Sequence, residues 1–165
     1  MEIDNYRREA LTICVEMIRE IINSDSELIK SMIGIKFRIK SKKSIIKKMQ
    51  NLNLKLEDIY DLIGIRIIFD TIEEGSKFLK VIDTIKDFEI VSIRDYHKKP
   101  KVLMSYKAIH VLFKYKNYCG EIQITDAKSN EIAVITHNDY KEGKLTEGLF
   151  KEKYGFLYND EVHNK

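Results

Sequence analysis

Asp61-Leu62-Ile63-Gly64-Ile65-Arg66-Ile67-Ile68-Phe69 decides how this chain folds. From Ile63 onward it is apolar and β-branched almost throughout, the pattern of a central strand buried on both faces. An acidic residue stands at its head. Sixty residues further on, Glu121-Ile122-Gln123-Ile124 again sets one carboxylate at the end of an apolar run. Around these two segments the rest of the chain can be laid out.

Upstream, residues 5–22 place Ala10, Leu11, Cys14, Val15, Met17, Ile18, Ile21 and Ile22 at helical spacing. Ser26 is expected to cap a second short helix reaching Ile33. Residues 34–40 then alternate, with Ile35, Phe37 and Ile39 on one face and Lys36, Arg38 and Lys40 on the other. That reads as a half-buried strand with a cationic polar face. Ser41 is expected to cap the next helix, which turns Ile45, Ile46 and Met49 inward and ends at Asn51–Asn53. Downstream, the pattern predicts a helix over 73–86, a strand over 88–94 and a loop over 95–105 holding the single proline, Pro100. Strands follow at 106–115 and 120–125 with a tight turn at Lys116 to Cys119, then a helix over 128–141. The expected fold is α+β, a mixed five-stranded β-sheet flanked by helices. One domain spans 1–142, and 143–165 forms a charged tail.

At 165 residues the chain can bury a real core, and 44% hydrophobic content argues against disorder. The net charge of +3 hides a local concentration: from Lys36 to Lys48 there are seven basic residues and no acidic one. Cys14 and Cys119 have no metal-ligand spacing and read as free thiols in a reducing compartment. No signal-peptide core and no membrane-length apolar run is present, so a cytoplasmic location without membrane contact is expected. Neither a GxxxxGK[ST] loop nor a GxGxxG turn occurs, and phosphate binding would fall to side-chain cations.

Two carboxylates able to hold a divalent metal, with cations nearby, are what phosphoryl chemistry on a nucleotide requires. Arg38 and Lys40 project from one face, and Lys48 follows about two helical turns after Ser41. The three can converge on one triphosphate. A solvated basic face is the alternative. Taken singly, Asp61 also serves as a turn residue and Glu121 as a strand carboxylate paired with a lysine. In Ser105-Tyr106-Lys107-Ala108-Ile109-His110, Tyr106 and His110 share a strand face, and Tyr106 can stack on a base or complete a core edge.

Read in register, these segments resemble the synthetase domain of the RelA/SpoT alarmone family, in its small synthetase-only form. The resemblance is carried by Arg38-Ile39-Lys40-Ser41 through Lys48, by Asp61 to Arg66, and by Arg94-Asp95-Tyr96 through Lys101. It continues in Ser105 to His110, in Glu121 to Ile124, and in His137-Asn138-Asp139-Tyr140-Lys141. It implies a nucleotidyltransferase-like fold and an ATP-dependent pyrophosphokinase that moves the β,γ-pyrophosphate of ATP to the 3′-hydroxyl of GDP or GTP. By position, it implies Arg38, Lys40 and Lys48 for the ATP phosphates and Asp61 for Mg²⁺. Glu121 would complete the metal site or take the acceptor proton. Tyr106 would stack on the acceptor base, and Arg94, Lys101 and His110 would position the acceptor, with Gln123 and Arg66 in support. Two departures fall on the acceptor side. The segment from Pro100 to Tyr106 is one residue longer than the family pattern and carries Ser105 for glycine. Thr125 replaces an arginine. A toxin-type synthetase acting on the 3′ end of tRNA, with an antitoxin partner, is therefore an alternative. A non-catalytic nucleotide- or RNA-binding module is another, and a homo-oligomer is possible.

Overall fold

The computed structural model describes residues 2–98 and 107–141, together with Glu152. Five strands form one sheet in the order β1-β2-β5-β4-β3. They are β1 (Met32–Ile39), β2 (Ile63–Phe69), β3 (Phe88–Asp95), β4 (Ile109–Tyr115) and β5 (Tyr118–Asp126). The β2–β5 pair is parallel and the other pairs are antiparallel. The helices are α1 (Ile3–Ser24), α2 (Ser26–Lys30), α3 (Lys42–Leu52), α4 (Ile72–Ile82) and α5 (Ala127–Lys141). A 3-10 turn, Leu56–Asp58, leads into β2. The α+β class, the five strands and the mixed sheet are those expected from the sequence.

The core lies on one face of the sheet. Ile65, Ile67, Ile122, Ile124, Val111 and Phe113 are buried there. Against them α1 sets Tyr6, Ala10, Cys14, Met17 and Ile21, spaced four, four, three and four residues apart, so that they form one helical stripe. Gly120 sits where this packing is tightest. A Cβ added to it would press into the Phe113 ring and come within 2.8 Å of the Ile63 carbonyl oxygen. Gly120→Ala should therefore destabilise the fold by about 1–3 kcal/mol, because backbone cannot move aside as a flexible side chain can. Thermal unfolding should register this as a drop of several degrees.

Local chemistry decides the helix ends. Ser41 caps α3 by accepting from the Ser44 amide at 3.3 Å, and Asn53 closes it in the left-handed conformation at φ 49°. Three expectations are corrected. The cap of α2 is Asp25, whose carboxylate accepts from the amides of Glu27 and Leu28, because Ser26 is already the first helical residue. Ile46 is exposed, since α3 presents a narrow stripe and buries only Ile45 fully. The last hairpin turns on Lys116 and Asn117 alone, with Tyr115 paired to Tyr118, so Cys119 lies within β5 rather than in the turn. Lys116 takes the positive φ of 53° that such a two-residue turn demands. The expected tail from Gly143, and Pro100 with most of its loop, lie outside the described residues. No described helix is long and apolar enough to cross a membrane. Both cysteines are free and buried, and burial pushes the Cys14 thiol up to about 11.

Candidate active site

The sheet face opposite the core is polar, and strand register arranges it in rows. Lys36, Arg66, Gln123, His110 and Arg94 are mutual register partners across all five strands. Partners in register share a face. Two residues along each strand, the next row holds Arg38, Gly64, Glu121, Leu112 and Ser92. Sequence positions far apart are thus gathered onto one surface by a strand order that is not sequential.

At its β1 end, Lys40 and Lys48 close on one carboxylate. Lys40 Nζ stands 2.7 Å from Asp61 Oδ2 and Lys48 Nζ 2.8 Å from Asp61 Oδ1. The strand end that carries Lys40 is held twice: its amide donates to the Leu62 carbonyl at 2.9 Å, and its carbonyl accepts from Arg7 Nε at 2.9 Å. Burial pushes the Asp61 carboxyl up, but the two lysines outweigh it and hold the group below its ordinary range. Arg38 is exposed and lies across Gly64, where an added Cβ would come within 3.3 Å of its side chain. Glycine at 64 therefore leaves the room in which this guanidinium rests.

In the middle of the face, Glu121 is the hub of a directed hydrogen-bond chain. Arg66 donates through Nε at 3.1 Å and Nη2 at 2.8 Å to Gln123 Oε1. Gln123 Nε2 in turn donates to Glu121 Oε2 at 2.8 Å. His110 Nδ1 lies 2.7 Å from Glu121 Oε1. A carboxylate only accepts, so Nδ1 carries the hydrogen. The Tyr96 ring meets His110 edge-on at 4.9 Å. Burial pushes Glu121 up, and the charge of Asp61 acts the same way, yet the bonds from His110 and Gln123 prevail and keep the carboxyl lowered.

Both carboxylates are thus held ionised, which has a consequence for folding. A depressed folded-state value contributes stability above the ordinary pKa, and that stability is lost as pH falls through the lowered value. The contributions of Asp61 and Glu121 should be complete above their ordinary values of 3.8 and 4.5 and vanish on the acid side of them. Denaturant midpoints measured across that range should fall less steeply for Asp61→Asn than for the wild type.

At the other end of the two parallel strands, where β2 and β5 lead into α4 and α5, a cavity of about 380 Å³ is lined by residues including Asp70, His97, Lys107, Asp126 and Ser129. Asp126 opens α5 by accepting from the Ser129 amide at 2.8 Å and hydroxyl at 2.7 Å. Burial lowers the pKa of His97, against the pull of Asp126.

Of the residues named from the sequence, Arg38, Lys40, Lys48, Asp61, Glu121, Gln123, Arg66, His110 and Arg94 all stand on this face or at its β1 end. Lys101 and Tyr106 lie outside the described residues. Sequence reasoning missed Arg7, Tyr96 and Asn130. Asn130 Oδ1 accepts from Arg66 Nη1 at 3.4 Å. The signal for it was the Asp126–Ser129 cap, which fixes where α5 starts and so places Asn130 in its first turn.

The five-stranded mixed sheet with its flanking helices is an α+β fold shared with the structures of a GTP pyrophosphokinase family protein and of small alarmone synthetase 2 from Bacillus subtilis. The chain belongs to the RelA/SpoT family: the family described as "Region found in RelA / SpoT proteins" matches residues 37–145. A GTP pyrophosphokinase family protein from Streptococcus pneumoniae shares the fold, with a TM-score of 0.77, 21% identity and coverage of 97% of this chain and 94% of that one. Small alarmone synthetase 1 from Bacillus subtilis, solved bound to its product pppGpp, is 26% identical. Its TM-score is 0.63, and 72% of this chain and 68% of that one are covered. A guanosine-3′,5′-bis(diphosphate) 3′-pyrophosphohydrolase from Aquifex aeolicus (strain VF5) is 32% identical over 114 residues. The match takes in 67% of this chain but only 16% of that relative's length.

Proposed function

We propose that the chain is a cytoplasmic pyrophosphokinase that transfers the β,γ-pyrophosphate of ATP to the 3′-hydroxyl of GDP or GTP. The observation that carries this reading is the pairing, on one sheet face, of a Lys40–Asp61–Lys48 cluster with a Glu121 held by His110 and Gln123. Family membership supports the choice of donor and acceptor class, and the Bacillus relative's pppGpp product is consistent with it.

The residues fit a divalent ion of magnesium type. Asp61 and Glu121 are hard oxygen donors, both held below their ordinary carboxyl range, and the charge of Asp61 is felt at Glu121. Among the described residues no three His, Cys, Asp or Glu side chains converge on a metal position. The remaining ligands would then come from substrate phosphates and water, as Mg²⁺ accepts. An ion held by these residues would supply neutralisation of charge on the phosphates in transfer.

The protein's own part follows. Lys40 and Lys48 already converge, and a triphosphate offers them oxygens in place of Asp61, with Arg38 free to turn onto the same chain of phosphates. Glu121 accepts the proton of the acceptor 3′-hydroxyl. The new bond joins that oxygen to the β-phosphorus, the α,β-bridging bond breaks, and AMP leaves. Positioning and charge neutralisation do most of the work in such a transfer. His110, bonded to Glu121, and Arg94, the register partner of His110 in the row next to that of Glu121, face the acceptor.

The test is incubation with ATP labelled on the γ-phosphate, Mg²⁺, and GDP, GTP or tRNA as acceptor. Label on the guanine nucleotide with matching AMP release is expected. Label on tRNA would overturn the acceptor assignment and keep the donor chemistry. No transfer to any acceptor, with ATP still bound, would leave a binding module.

A further inference from the structure

We propose that Asn130, Arg66 and Gln123 form a positioning relay for Glu121, with Asn130 as its anchor on α5. Polarity is the argument. Arg66 has donors and no acceptor, so every group it touches must present oxygen. It places Nε and Nη2 on Gln123 Oε1, and Nη1 on Asn130 Oδ1. Gln123 is thereby barred from flipping, because a flip would set its NH₂ against the guanidinium and its oxygen against Glu121. Its Nε2 is left pointing at Glu121 Oε2, at 2.8 Å.

The relay crosses three elements. Arg66 and Gln123 are register partners on parallel strands β2 and β5, and Asn130 comes from the first turn of α5. The helix start is itself pinned by Asp126, which takes both the amide and the hydroxyl of Ser129. From the opposite side His110 on β4 holds the other carboxylate oxygen. Glu121 is therefore fixed from two directions, and the direction through Gln123 depends on a residue beyond contact with the carboxylate. Supporting groups of this kind typically carry about 10–100-fold in activity when removed.

This inference rests on the transfer reading for its kinetic arm, and on nothing but geometry for its spectroscopic arm. Gln123→Met keeps length and loses the amide. Its kcat should fall about 10–100-fold with the KM for ATP within about two-fold, since the donor phosphates sit on other residues. Asn130→Ala should lower kcat in the same way by a smaller factor. Asn130→Asp should behave as wild type, because a carboxylate accepts from Arg66 as an amide oxygen does. The second arm follows the Gln123 side-chain NH₂ signals by ¹⁵N NMR, identified by their loss in Gln123→Met. They should shift in Asn130→Ala and hold in Asn130→Asp. Unmoved Gln123 signals in Asn130→Ala, or equal damage from both Asn130 variants, would overturn the relay. Should the wild type transfer to no acceptor, the transfer reading falls and the NMR arm alone decides the relay. Should Gln123→Met not fold, Gln123→Glu sets a second carboxylate on Glu121 and must lower kcat at least as much.

Discussion

Glu121→Gln should reduce pyrophosphate transfer about 10³-fold while leaving the affinity for metal-free ATP within about two-fold. The glutamine keeps the shape of the side chain and can still accept through one oxygen, so the sheet is undisturbed. It loses the charge and the basic lone pair that would take the 3′-hydroxyl proton. Its NH₂ must also face one of the two donors, His110 Nδ1 at 2.7 Å or Gln123 Nε2 at 2.8 Å, and that one is left with nothing to accept it. The donor phosphates are held elsewhere, by Arg38, Lys40 and Lys48, and that separation is why binding should survive. Rapid-quench transfer beside equilibrium ATP binding would measure both. A variant that loses binding and turnover together would place Glu121 in the donor site instead.

Asp61→Asn should lower turnover by at least about 10²-fold, since the stabilisation of transferring phosphates by a held divalent ion is worth several kcal/mol. It should also change how ATP binds. In the wild type, both ammoniums at the β1 end are occupied by one carboxylate, at 2.7 and 2.8 Å. Metal-free ATP must compete with Asp61 for them. In the variant the ammoniums repel one another and have no anionic partner at that position, so metal-free ATP should bind more tightly than to wild type. Mg²⁺ should then add little. Calorimetric titration with and without Mg²⁺ separates these terms. Weaker binding of metal-free ATP to the variant would show that Lys40 and Lys48 do not meet the phosphates.

How much of this could be read from sequence depends on how local each feature is. Strand β2 was legible to the residue because a run from Ile63 to Phe69 with one arginine suits little but a central strand. The Ser41 cap and the Asn53 stop were legible because capping is chemistry between near neighbours. Asp25 and Ser26 are both good caps, and only the backbone decides between them. Helical period puts Ile46 inside, but it cannot say how wide a stripe a short helix buries. The site behaves the same way. Asp61, Glu121 and the cations are found from motif and charge. Their partnership is not, because it needs β5 inserted between β2 and β4. Gln123 sharing a face with Glu121 follows from strand period, whereas the cap that places Asn130 in the first turn of α5 does not tell that α5 packs beside Arg66. Acceptor recognition through Lys101 and Tyr106 lies outside the described residues and stays a reading of the sequence.

The most direct test is single-turnover transfer of labelled pyrophosphate from ATP to GDP or GTP, with wild type and Glu121→Gln run side by side at saturating ATP and Mg²⁺. Wild type should deliver label to the guanine nucleotide with one AMP released per transfer, while the variant holds ATP and transfers about 10³-fold more slowly. Equal rates in the two proteins, or no transfer by wild type to any guanine nucleotide, would contradict the account.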